Sequence, residues 1–160
     1  MFVVRRARPE DAAAIAGFNR AMALETEQRV LIPGVVETGV RRLLETPALG
    51  FYGVAERAGG VVACLMVTHE WSDWRNGLFW WIQSVYVQPG SRRQGAYRQL
   101  YDFVRAQARS DPGVCGFRLY AATGNAVAHR TYTALGMMRT DYRVYEELRP
   151  GHGGVPVQAA

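Results

Sequence analysis

The chain has 160 residues and a mass of 17.8 kDa, the size of one ordinary domain; 49% hydrophobic and 21% charged residues make a globular composition. No apolar run approaches the ~20 residues a transmembrane helix needs, and the opening Met1-Phe2-Val3-Val4-Arg5-Arg6 is too short and too soon basic for a signal peptide. The net charge of +5 rests on arginine alone; with no lysine, Schiff-base chemistry and lysine-dependent phosphate loops are excluded.

Val3 to Arg6 reads as a first strand. Pro9-Glu10-Asp11 opens a helix, with proline in its first turn and two acids at its positive end. Ile15, Phe18 and Met22 give that helix a buried face. A second helix follows Pro33-Gly34, carries Val36, Val40, Leu43 and Leu44 on one side, and stops at Pro47. Gly50 to Arg57 and Val61 to Glu70 read as hairpin strands around Ala58-Gly59-Gly60. Trp71 to Gly77 reads as an aromatic loop, and Leu78 to Val87 as a long strand buried on both faces. A helix is predicted from about Gln94 to Arg109, a strand from Phe117 to Ala121 and a helix from Asn125 to Leu135, closed by Gly136. Met137 to Leu148 reads as a final strand or hairpin. Hairpin strands followed by a βαβ unit predict a mixed sheet with helices on its faces, an α/β or α+β sandwich. The expected organisation is one domain over residues 1–149, with a flexible tail at 150–160.

Cys64 and Cys115 lack metal-ligand spacing, and His69, His129 and His152 are scattered, so no metal site is expected. Two isolated cysteines suggest buried thiols in a reducing, cytoplasmic setting.

The segment from Ser84 to Arg98 carries the chemistry. A buried strand runs into Pro89-Gly90, then an arginine-rich loop, then a helix. A helix start leaves main-chain N–H groups unpaired and adds positive potential. Gly95 allows close approach to the backbone. Arg92, Arg93 and Arg98 add forked donors suited to phosphate oxygens. Together they describe an anion site shaped for a diphosphate.

Arg92-Arg93-Gln94-Gly95-Ala96-Tyr97 resembles the Q/R-x-x-G-x-G/A signature of the GNAT superfamily, the acyl-coenzyme-A-dependent N-acyltransferases; Tyr97 departs from its small last position. Asn125 to Met137 is similar to that superfamily's N-x-x-A-x-x-x-Y-x-x-L-G-[FM] element. The resemblance covers nearly the whole chain. It implies a mostly antiparallel mixed sheet of six to seven strands, about four helices on both faces, and splayed central strands. It further implies acetyl transfer from acetyl-CoA to a primary amine, by direct attack in a ternary complex. The cofactor arm would pair with Val85, Tyr86 and Val87, and the diphosphate would rest on Arg92, Arg93, Gln94, Gly95, Ala96, Tyr97 and Arg98. Asn125 would contact the arm, and Tyr132 would protonate the leaving thiolate.

The proton acceptor is not marked by a motif. Gln83 and Ser84 stand where some relatives carry glutamate, which leaves Glu25, then Glu70, then Glu27 as candidates. Trp80 and Trp81 suit sheet core or a homodimer surface, while Trp71 and Trp74 suit an interface or an aromatic wall for the acceptor equally. The rival readings are a catalytically silent coenzyme-A-binding module and a nucleic-acid binder, though no stacking platform in a basic groove supports the latter. The amine acceptor is a small molecule or a flexible peptide end; no membrane partner is expected.

Overall fold

A computed structural model describes residues 1–151. The chain divides into two compact units, Met1–Arg118 and Leu119–Gly153, and each is described by itself. The flexible tail expected at 150–160 lies outside the described residues, except for Pro150 and Gly151 in a turn.

In the first unit, β1 (Val3–Arg6) leads through a 3-10 turn (Pro9–Asp11) into α1 (Ala12–Glu27) and α2 (Pro33–Glu45). Then come β2 (Gly50–Arg57), β3 (Gly60–Ser72), β4 (Gly77–Val87), a second 3-10 turn (Pro89–Ser91), α3 (Ala96–Arg109) and β5 (Val114–Arg118). The sheet order is β1-β2-β3-β4-β5. Pairing is antiparallel up to β4 and parallel between β4 and β5. A parallel neighbour needs a crossover, and α3 supplies it.

Strand alternation sorts the helices onto the two faces. Tyr52 and Val54 pack with Ile15, Ala16 and Phe18 of α1 and with Val40 and Leu43 of α2. Gly53, between them, points the other way: a Cβ there would lie 3.6 Å from Leu100 and 3.7 Å from Phe103 of α3. Ile15, Val54, Leu65, Val67, Leu100 and Val104 are fully buried, each worth about 1.5–3 kcal/mol.

In the second unit, α4 (Ala126–Ala134) is capped by Asn125, whose side-chain oxygen accepts the Ala128 N–H at 3.0 Å.

Three elements differ from the sequence reading. The predicted loop from Trp71 to Gly77 is mostly hairpin, since β3 runs to Ser72, β4 starts at Gly77, and only four residues turn. The strand predicted over Phe117 to Ala121 is instead Val114–Arg118. At Gly116 within it, the Phe79 ring fills the space a side chain would need: a Cβ would sit 2.8 Å from it. Met137 to Leu148 forms no strand among the described residues, so the sheet has five strands where six to seven were expected.

Candidate active site

The site grows from β4. Cys64 lies opposite Tyr86 and Met66 opposite Gln83, so Leu65 alone faces both Ser84 and Val85. This is a β-bulge, and Ser84 takes the left-handed conformation, φ 48°. The extra residue inverts the alternation. Trp80 packs edge-on against Phe51 (centroids 5.3 Å apart) on the face that α3 covers, whereas Tyr86 stacks on Phe18 of α1 at 5.3 Å. Both are even-numbered, yet they occupy opposite faces.

β5 pairs with β4 only from Leu78 to Trp81. Beyond that, among the described residues, no strand pairs with Ile82–Val87 on the β5 side. Parting strands expose main-chain donors and acceptors to which an extended ligand can add. Val85, Tyr86 and Val87 lie in this open stretch.

Past β4 comes the segment expected to hold a diphosphate. Arg92 is fixed twice: its Nε donates to the Val87 carbonyl at 2.8 Å and its Nη2 to Glu25 at 2.6 Å. Its guanidinium lies 5.4 Å from the Tyr86 ring centroid. Arg93 is left-handed at φ 61° and Gly95 at φ 83°. A Cβ on Gly95 would meet nothing nearer than 4.0 Å, so this side of the backbone is open to a ligand. The first main-chain bond of α3 runs from Gln99 N–H to the Gly95 carbonyl at 3.0 Å, and the N–H groups ahead of it have no helical acceptor. Ala96 is buried at the helix start, and Tyr97 stacks on Tyr101 at 6.2 Å. Arg93 and Arg98 are exposed and, among the described residues, join no ion pair. Gln94 accepts from Arg57 and donates to the Gly90 carbonyl at 2.9 Å, which pins the loop.

Glu25, in the last turn of α1, accepts from the Tyr86 hydroxyl at 2.9 Å as well as from Arg92. The Arg92 bond first, and the Tyr86 bond second, hold its carboxyl below the usual carboxylate range. The Tyr86 phenol moves up, through burial first and then through its hydrogen bond to Glu25. Glu70 lies elsewhere on the sheet, bound to the Trp81 indole N–H and to Arg118 at 2.5 Å. Glu27 pairs with Arg29 at 3.5 Å on the surface. Tyr132 and Asn125 belong to the second unit, on α4 and at its start. Burial pushes the Tyr132 phenol up.

The structure thus brings together Glu25, Tyr86, Val87 and Arg92, while Glu70 stands apart with Trp81 and Arg118. Sequence reasoning missed the Tyr86 phenol as a polar group and Arg118 altogether; no motif marks either. Cys64 is buried beneath the bulge, 3.6 Å from the Ser84 carbonyl, and burial pushes its thiol up to about 12, so it is no nucleophile. Among the described residues no three His, Cys, Asp or Glu side chains gather to hold a metal, and no helix is long and apolar enough to cross a membrane.

A bulged strand opening beside its parallel neighbour, followed by a helix start flanked by arginines, belongs to a fold shared with solved acetyltransferases. The sequence profile of the Acetyltransferase (GNAT) family matches residues 17–137, and the chain belongs to that family. Among solved structures, a "possible acetyltransferase" from Clostridium difficile 630 is 41% identical; the match covers 93% of this chain and 98% of that one, with a TM-score of 0.85. The aminoglycoside N-acetyltransferase AAC(6')-Iy, solved in complex with CoA, shares the fold at 12% identity, 93% and 95% coverage and a TM-score of 0.78. A ribosomal-protein-alanine N-acetyltransferase from Brucella melitensis biovar Abortus 2308 shares it at 15% identity, 93% and 99% coverage and a TM-score of 0.73. No match is found among curated protein sequences.

Proposed function

We propose that this protein is an N-acetyltransferase that moves an acetyl group from acetyl-CoA to a primary amine by direct attack in a ternary complex. One observation carries the reading. Arg92, held by Val87 and Glu25, stands at the mouth of a helix start whose Gly95 leaves the backbone open at the end of a bulged strand. These residues fit a nucleotide diphosphate followed by an extended thioester arm. Bound acetyl-CoA would supply an activated acetyl group. Arg92, Arg93 and Arg98, with the main-chain N–H groups from Arg93 to Arg98, would grip its diphosphate. Val85 to Val87 would pair with its arm, and Asn125 would add a polar contact.

The remaining services fall to side chains of this chain. Glu25 stays ionised at neutral pH and serves as the proton acceptor, with the Tyr86 hydroxyl donating to it. Tyr132, kept protonated by its raised pKa, donates to the leaving thiolate. Family coverage of residues 17–137 supports a single catalytic domain spanning 1–149. Two free thiols, Cys64 buried and Cys115 exposed where both were expected to be buried, support a reducing cytoplasm, and the exposed Trp71 and Trp74 support a homodimer.

The test is thiol release from acetyl-CoA with a panel of polyamines, aminoglycosides, amino acids and N-terminal peptides. Tyr132→Phe is expected to lower kcat by about 100-fold, the usual scale of a lost general acid, while leaving the Kd for acetyl-CoA within about twofold. An unchanged kcat removes the assignment of the hydroxyl. A silent coenzyme-A-binding module is the second reading, favoured by one observation: Glu25 and Glu70 are both tied to arginines. Thermal stabilisation by acetyl-CoA without turnover of any amine would establish it.

A further inference from the structure

β3 and β4 place a second constellation on the sheet face that carries Tyr86. Glu70 lies opposite Phe79, and Thr68 opposite Trp81. The register carries this face through Met66 and Gln83 to Cys64 and Tyr86, with the bulge keeping all of these side chains on one side. Here both Glu70 oxygens are engaged. One accepts the Trp81 indole N–H, the other the Arg118 guanidinium at 2.5 Å. The same guanidinium lies 3.8 Å from the centroid of the Phe79 ring. A cation held between a carboxylate and an aromatic face is what such a set of groups selects. The cation now seated belongs to the chain itself.

That seat is open to solvent. The side chains of Arg118 and Glu70 are 36% and 38% exposed. An ion pair so exposed is held weakly in water, so a ligand cation can take the place of Arg118. Three residues of extended strand separate Trp81 from the bulge at Ser84, roughly 10 Å. A chain of several carbons spans such a gap.

We propose that Glu70, Trp81 and Phe79 form a cation subsite for the acceptor, which reads a second ammonium or guanidinium group at a distance from the reacting amine and displaces Arg118. This assigns Glu70 to recognition rather than to proton transfer. The inference rests on the acetyltransferase reading above for the identity of its ligand as acceptor, and the test separates the two.

Two probes of equal chain length, hexanediamine and hexylamine, are compared by thiol release and by calorimetry on the full-length protein. The wild type is expected to favour the diamine by about tenfold in kcat/KM, the scale of one hydrogen bond to a charge. Glu70→Gln is expected to bring the ratio of the two amines close to one. A proton-acceptor role would instead lower both rates together and leave the ratio intact, which overturns the proposal. Arg118→Met, which frees Glu70 and leaves only Arg75 near the Phe79 ring, 5.2 Å from its centroid, is expected to lower the diamine KM several-fold; an unchanged or raised KM counts against the subsite. Should Glu70→Gln melt early, Arg118→Met decides alone. Absence of diamine binding heat in the wild type overturns the subsite whatever the rates. Diamine binding that Glu70→Gln abolishes, without any thiol release, keeps the subsite and overturns the transfer reading.

Discussion

Gly95 shows how one residue serves both conformation and recognition. At φ 83° a side chain costs about 1–2 kcal/mol, and a branched one would also fill the open ground where the diphosphate would lie. Gly95→Val is therefore expected to raise the Kd for acetyl-CoA by tenfold or more, about one lost charge-assisted hydrogen bond. Calorimetry reads it, with circular dichroism as the check on folding. Asp11 makes the corresponding case for stability. Buried at the start of α1, it receives two bonds from Arg5, 2.7 and 3.0 Å, and the Arg8 N–H at 2.7 Å. The Arg5 bond first, and the Arg8 backbone bond with it, outweigh desolvation and hold its carboxyl below the usual range. A depressed folded pKa stabilises above the unfolded value and loses that contribution as pH falls towards the folded one. Asp11→Asn is expected to cost about 2 kcal/mol at pH 7, a Tm loss of about 4–8 °C. The gap between the two proteins should begin to close at about pH 4, the unfolded carboxylate value, and vanish as pH falls through the lower folded value. A gap that persists in acid would mean the pair contributes through shape rather than charge. Arg92, Arg93, Gly95 and Arg98 stand out in the sequence by their types and spacing, and the proposed diphosphate contact rests on them. Glu25 was legible as a carboxylate near the end of a helix. Its bonds to Tyr86 and Arg92 were not, because those partners are 61 and 67 residues away.

At the scale of elements, the bulge decides most. Without the additional residue in β4, Tyr86 would turn from α1 towards α3, the Glu25–Tyr86 bond would be lost, and Cys64 would lose its partner. Deletion of Ser84 is expected to abolish acetyl-CoA binding and to lower Tm sharply. Ser84→Gly, which suits φ 48°, should stay within about 1 kcal/mol of the wild type. Denaturant melts with and without acetyl-CoA separate the two outcomes; a deletion variant that still binds would show that the inverted face is unnecessary. The bulge is silent in the sequence, since Ser84 in an apolar run reads as ordinary strand and backbone φ is set by pairing. The start of β5 was hidden for a related reason. Gly116 has no side chain to mark a strand face, and only the Phe79 ring shows that a glycine is required there.

For the whole molecule, the charge of +5 is spread over many arginines, two of which, Arg93 and Arg98, are exposed around the start of α3. Five of the 19 arginines, Arg5, Arg20, Arg29, Arg92 and Arg118, pair with carboxylates among the described residues, and Arg93 and Arg98 are among those that do not. A polyanionic ligand should therefore bind through a salt-sensitive contact. Acetyl-CoA at about a hundred times its Kd is expected to stabilise the fold by about 2.7 kcal/mol, a Tm rise of roughly 5–11 °C. The rise should shrink markedly in about 1 M salt, where screening acts over about 3 Å. A salt-independent rise would assign binding to the strand edge rather than to the arginine cradle.

The sequence by itself determined the family and the order of elements from β1 to α4, because hydrophobic period, helix-start chemistry and glycine placement act over a few residues; it misplaced β5 and expected a strand at Met137 to Leu148 where none forms among the described residues. Tertiary structure alone decided which face Tyr86 occupies, that Arg92 is shared between Val87 and Glu25, and that Arg118 sits on Phe79 against Glu70. Those outcomes depend on strand register, and register is fixed only when distant segments pair.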